Sequence, residues 1–242
     1  MVAEVKMSDT AHSSTDMHAS LVPSVPPLKP GERLDQATFH TRYEAMSPGT
    51  RAELVGGVVF MMSPMKNRHG RIQTLISSWL YQYELNTPGV AGGDGLTIIL
   101  GNRSEPLPDA CLMIHPGGQT RINQEEYIEG APELIVEISL STETHDLSAK
   151  KADYERAGVC EHIVVALQSK AVYWFELKDG HYVSRSSSGD GIFRSVVFPG
   201  LWLDAEALLR LDGRRVHAVL REGVACEEHV RFCEQLGERP GE

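Results

Sequence analysis

Between residues 32 and 210 the apolar positions switch repeatedly between a strand period and a helix period, which predicts a mixed α/β domain. ELVGGVVFMM, beginning at Glu53, reads as strand, tight turn at Gly56-Gly57, strand. From Asn67 to Leu85 the residues Ile72, Leu75, Ile76, Trp79, Leu80 and Tyr83 follow helical offsets and form one apolar stripe. The glycine-rich PGVAGGDG ends that helix, and LTIIL and LPDACLMI follow as strands around a polar loop at 101–106. LIVEISLS, from Leu134 to Ser141, is the next strand. A helix from about Asp146 to Ala157 succeeds it, with Gly158 as its C-cap. HIVVAL is then a continuous apolar run, as expected for a strand covered on both faces. The unit from Glu133 to Leu167 is therefore a short β-α-β crossover whose two strands lie parallel. AVYWFEL and HYVSRSS form a hairpin around Lys178-Asp179-Gly180, and FPGLWLDAEALLRL runs from a strand end into a short helix. The expected architecture is α/β of the mixed α+β kind, with a mixed central β-sheet flanked by helices.

Outside that span the pattern changes. Residues 1–31 carry Ser, Thr, His and four prolines without any period, and are expected to form a disordered or loosely docked tail. Residues 211–242 read as a helical, acidic C-terminal extension, leaving 32–210 as the central domain. At 242 residues, 41% hydrophobic and 23% charged, the chain is long and apolar enough for a packed core. The net charge of −10 argues against a generic nucleic-acid coat, but not against a local basic groove. Cys111, Cys160, Cys226 and Cys233 are scattered without a C-x-x-C pair, so reduced thiols in a cytoplasm are the simplest expectation. No membrane-length apolar run and no signal-peptide h-region is visible.

One residue disturbs the strand pattern. In LIVEISLS one face takes Leu134, Val136, Ile138 and Leu140, and the other takes Ile135, Glu137 and Ser139. Glu137 lies well inside the strand, where burying even a neutral polar group without a partner costs on the order of 2–7 kcal/mol. It must be protonated, paired with a cation, bound to a metal, or placed at an opening in the fold. Glu53 in the first strand, Asp109 in LPDACLMI, and Lys150 on the helix after Glu137 are also charged where their neighbours are apolar. Tyr154 shares the face of Lys150 at i+4. Two strands each offering a carboxylate would make a hard-oxygen site for Mg²⁺ or Mn²⁺, with the lysine as a nearby positive charge. A plain Glu137–Lys150 salt bridge, or exposure on an edge strand, accounts for the same residues.

The ordered run ELVGGVVFMMSP…H…PDACLMI…PELIVEISLSTETHDLSAKKADYERAGV resembles the Uma-type family of "putative restriction endonucleases", within the PD-(D/E)XK nuclease superfamily. The likeness covers about 40–210. It implies a restriction-endonuclease-like core and metal-dependent endonuclease chemistry on DNA phosphodiesters. By that resemblance Asp109 and Glu137 take the places of the two metal-binding acids, and Glu53 matches an additional acid that holds the metal or its water. The superfamily's lysine, two residues after the second acid, is replaced by Ser139, so Lys150 is the implied substitute. His69 matches a family histidine, for which a phosphate contact or a proton relay is implied beside the ordinary role of a helix N-terminal residue. The family commonly has an aromatic strand beginning E-Y-W where this chain has His162 and Ile163.

Other features carry less. GGDG at 92–95 precedes no helix, so a phosphate-binding loop is not expected there. Cys111 and His115 lack further ligands for zinc, and Trp79, Trp174 and Trp202 read as core or interface anchors. Lys66, Arg68 and Arg71 surround His69, and with Lys150, Lys151 and Arg156 would line a phosphate track, unless they are simply a solvated surface. A two-fold homodimer, with the AVYWFEL hairpin as contact, would suit cutting of both strands.

Overall fold

The computed structural model describes residues 25–140 and 142–237. In chain order the elements are α1 (Gln36–Glu44), β1 (Ala52–Val55), β2 (Val58–Met61), α2 (Asn67–Glu84), β3 (Val90–Asp94), β4 (Ile98–Ile99), β5 (Ala110–Ile114), β6 (Arg121–Ile122), β7 (Ile128–Glu129) and β8 (Leu134–Ser139). There follow α3 (Glu143–His145), a π-helical turn (Asp146–Lys150), α4 (Lys151–Ala157), β9 (Glu161–Ala166), β10 (Ala171–Lys178), β11 (His181–Arg185), β12 (Ile192–Arg194), β13 (Trp202–Asp204), α5 (Ala205–Leu209), α6 (Gly213–Val224) and α7 (Glu227–Gly237). Six strands make the central sheet in the order β11-β10-β9-β8-β5-β3. Within this sheet only β8 and β9 pair in parallel, as the crossover between them requires. The β10–β11 hairpin closes on Asp179-Gly180, both at positive φ, and β1–β2 closes on Gly56-Gly57 in the same way.

Side-chain alternation divides the sheet's two faces. Leu134, Val136 and Ile138 of β8 join Ile163, Val165, Ala110 and Leu112 in the main core, beneath the Ile72–Trp79 stripe of α2. Val216, Leu220 and Leu236 enter the same core, so the C-terminal helices pack on the central domain. On the opposite face Ile135, Cys111 and Met113 pack with Tyr154 and Val159. A third cluster, Phe39, Ala52, Leu54 and Val59, fixes the β1–β2 hairpin against α1. Glu137 points to the second face, where hairpin, α4 and sheet meet.

Several expectations are corrected. The segment around GGDG is not only a loop: Val90–Asp94 is the edge strand β3, paired antiparallel with β5. Its glycines allow close approach, since a Cβ on Gly93 would stand 2.1 Å from Leu96 Cδ1. LTIIL shrinks to Ile98–Ile99, in a small side sheet with β7 and β6. Helix α1 went unforeseen because Phe39 is its one fully buried apolar residue; its N-cap Asp35 accepts from Thr38 N at 2.8 Å. The expected tail lies mostly outside the described residues. Its last part is docked, with Arg42 donating to the carbonyls of Pro26 and Pro27 at 2.9 and 2.6 Å. Among the described residues no helix is long and apolar enough to cross a membrane.

Candidate active site

The site is built where β1, β5 and β8 meet the π-helical turn. Glu53 is 4% exposed on β1, Asp109 8% just before β5, Glu137 3% on β8 and Lys150 3% at the end of the turn. Lys150 Nζ lies 2.8 Å from Glu53 Oε2 and 3.0 Å from Glu137 Oε1. Tyr154, one helical turn on, donates to the same Glu137 oxygen at 2.5 Å. The β5–β8 ladder pairs Ala110 with Val136. One residue further, the same register sets Asp109 across from Glu137. Asp109 Oδ2 accepts the Ile138 backbone N–H at 2.7 Å, and Oδ1 lies 2.9 Å from His69 Nε2. All five residues singled out in the sequence therefore converge, and the Glu137–Lys150 ion pair is present.

Two residues of the cluster were not foreseen. Asp146 is 3% exposed and accepts from Ser139 Oγ at 2.5 Å and Thr142 Oγ1 at 2.7 Å. In the sequence it marks only the expected start of a helix, where an acid is common and signals no site. The His145 ring packs tilted against Phe60, centroids 4.2 Å apart, with Nε2 3.9 Å from Glu53 Oε1. The phosphate track drawn in the sequence is not assembled as expected. Lys150 is buried, Lys151 lies over the Phe175 and Tyr182 rings, and Arg156 is paired with Asp153.

Electrostatically the site is overloaded with acids. Burial pushes the Glu137 carboxyl well above the ordinary range; Lys150 opposes this, while Asp146, Asp109 and Glu53 add to it. Burial works against the Lys150 charge, yet Glu137 and Glu53 outweigh it and hold the amine above the usual lysine value. Glu133, also buried, accepts backbone N–H bonds from Ile114 and Gln119 at 2.9 and 2.8 Å. Glu137 is held instead by the Tyr154 hydroxyl and by one ammonium shared with a second acid. The donors are hard carboxylate oxygens, which suits Mg²⁺ or Mn²⁺ at Asp109 and Glu137. Lys150 stands between Glu53 and Glu137, and among the described residues no three acidic, His or Cys side chains are already gathered as a metal cluster.

Fold and site together define a mixed-sheet α/β domain of the restriction-endonuclease-like class, with an acid–lysine cluster at the meeting of its sheets. Residues 37–206 match the model of the Uma2 family, described as "Putative restriction endonuclease", and the chain belongs to that family. A solved structure described as "a putative nuclease belonging to DUF820", from Anabaena variabilis ATCC 29413, is similar with a TM-score of 0.55 and 14% identity. That match covers 70% of this chain and 97% of the other, and it shows the shared fold. A search of curated proteins found no match.

Proposed function

We propose that this protein is a Mg²⁺- or Mn²⁺-dependent endonuclease that hydrolyses phosphodiester bonds in DNA. The observation that carries the proposal is the convergence of Glu53, Asp109, Glu137 and Lys150, from four separate segments, into one buried cluster in a member of this family. Asp109 and Glu137 would hold the metal, and Glu53 would support it or its water. Such an ion, when bound, polarises a phosphoryl oxygen and acidifies water. Lys150 keeps its proton at the site, where it would orient the attacking water and offset charge growing on the phosphate. Tyr154 fixes Glu137 from one side. His69, partly exposed and bonded to Asp109, is placed to orient that carboxylate and to meet a phosphate or pass a proton. Hydrolysis joins the water oxygen to phosphorus, breaks one P–O ester bond and delivers the proton to the leaving oxygen. A two-fold homodimer would bring two such sites to opposite strands.

The test is cleavage of plasmid DNA with Mg²⁺ by wild type and the Asp109→Ala/Glu137→Ala double variant, with circular dichroism to check the fold. The expected loss is at least about a hundredfold. A folded double variant that cuts at the wild-type rate overturns the assignment.

A second reading is favoured by one specific observation: Lys150 already satisfies Glu53 and Glu137 as a closed ion network. On that reading the protein is an inactive nuclease-fold module that binds a partner protein or nucleic acid. Calorimetric titration separates the two. Mg²⁺ or Mn²⁺ binding that is lost in Glu137→Gln supports the enzyme, and silence across millimolar ion supports the module.

A further inference from the structure

One aromatic ring stands apart from the three hydrophobic clusters. Of the chain's six phenylalanines, Phe39, Phe175, Phe193 and Phe198 are buried, and Phe232 packs against the main core. Phe60 is half-buried and joins none of the clusters. Its direction follows from the hairpin register. Ala52, Leu54, Val59 and Met61 take the face that packs on α1. Glu53 lies directly opposite Phe60, so the two share the other face, with β-carbons about 5 Å apart. The Met62 N–H bonds the Arg51 carbonyl at 2.9 Å, which carries the ladder one pair further and puts Met62 on the same side as Phe60. The one ring that meets Phe60 among the described residues is His145, tilted by 42° with centroids 4.2 Å apart. The His145 side chain is 22% exposed and stands 3.9 Å from Glu53. Phe60, His145 and Met62 thus form a partly open ledge whose inner end is a carboxylate of the acid cluster. Burying a phenylalanine ring is among the larger favourable terms a small sheet can gain, and this ring forgoes part of it.

We infer that Phe60, with the His145 ring beside it, is a stacking platform for an unpaired nucleobase of the DNA strand held at the acids. The inference rests on the reading of the protein as a DNA nuclease, and it names the kind of DNA: a strand whose bases are free, either single-stranded or turned out of a duplex. The chemistry of the ledge selects that ligand. A nucleobase offers a flat π face that an aromatic ring accepts whatever the sequence, and Met62 supplies a polarisable apolar flank. Phe60 and Met62 offer nothing to a phosphate, so they would stand idle against the charged outside of a closed duplex. The location ties the base to the reaction. A base hangs from the sugar next to its phosphate, so a phosphate at Asp109 and Glu137 carries its base towards the ring opposite Glu53. In a closed duplex that base is already stacked and paired and must be extruded at a cost; an unpaired base avoids the cost. Stacking also supplies affinity that needs no positive charge, in a molecule of net charge −10.

The test measures binding in EDTA, so that it does not depend on cleavage. Fluorescence anisotropy compares a labelled single-stranded oligonucleotide, the same strand paired into a duplex, and an abasic strand of the same length. Wild type is expected to bind the single strand at least about tenfold more tightly than the duplex or the abasic strand, which is the scale of one stacked base. Phe60→Ala and Phe60→Leu should bind the single strand no more tightly than the abasic one, and Phe60→Trp should keep the preference because it keeps a π face. Circular dichroism checks that each variant is folded, and the leucine variant preserves apolar bulk in the hairpin, so its loss reports the π face alone. Equal binding of single and abasic strands by wild type, a preference that survives in folded Phe60→Leu, or no binding of any strand overturns the inference. The nuclease reading fails separately. Base-dependent binding with no cut in Mg²⁺ keeps the platform and removes the hydrolysis, and Mg²⁺-dependent cutting without base dependence does the reverse.

Discussion

His162 is fully buried on β9, and neither ring nitrogen has a hydrogen-bond partner among the described residues. It sits edge-on to Tyr154 at 5.0 Å, between that ring and Phe175 and Tyr182. Burial pushes the imidazole down to about 3, with the positive charges of Lys150 and Lys151 acting in the same direction. An unfolded histidine accepts a proton near its ordinary value of 6.5, whereas the folded one refuses it down to about 3. The unfolded state therefore binds more protons in that window, and stability falls as pH drops from about 6.5 towards about 3. Replacing His162 with Phe should stabilise the protein by about 1–3 kcal/mol at pH 7, because two unsatisfied buried nitrogens are removed. It should also flatten the acid limb. Urea denaturation at pH 5 and pH 7.5 checks both; equal acid sensitivity in variant and wild type would count against this account. His162 was visible in the sequence as a departure at an aromatic position. Its isolation was not, because only packing shows which partners are absent.

Lys150 acts at the scale of elements. It ties Glu53 of the separate β1–β2 sheet to Glu137 of the central sheet, from a π-helical turn in which Asp146 and Lys150 both face inward. Removing one member of a buried ion network strands the others without compensation, at about 3–5 kcal/mol. Lys150→Met should lower stability by that amount, and hydrogen exchange should show protection lost first at Ala52–Met61, in the hairpin. Adding Glu53→Gln and Glu137→Gln should recover part of the loss. A Lys150→Met variant as stable as wild type would show that the network contributes nothing. Elements of this kind were legible to different depths. The β8–α4–β9 crossover and both hairpins followed from period and turn residues, since alternation and Asp-Gly or Gly-Gly turns are local signals. Strand β3 was hidden because Gly92 and Gly93 carry no side-chain pattern. The π turn was hidden because its Asp146–Lys150 spacing also suits an ordinary helix.

At the scale of the molecule, two hydrophobic clusters cover the faces of the six-stranded sheet and a third packs the small β1–β2 sheet against α1, and the seam between the two sheets, bridged by Lys150, holds the acids. The carboxylates were found from the sequence because each interrupts an apolar run. Their mutual placement came from β5–β8 register and from the chain doubling back through Lys150, which no spacing along the sequence specifies. The seam sets Glu53, Glu137 and Asp146 around a single ammonium, with Asp109 beside Glu137, an excess of acids that a divalent cation would relieve. The most direct measurement is anomalous diffraction from crystals soaked in millimolar Mn²⁺. The account predicts a peak within ligand distance of both Asp109 and Glu137 carboxylates, absent from Glu137→Gln crystals soaked in the same way. Well-ordered soaked crystals with no peak there, and Lys150 still bridging Glu53 and Glu137, would contradict it.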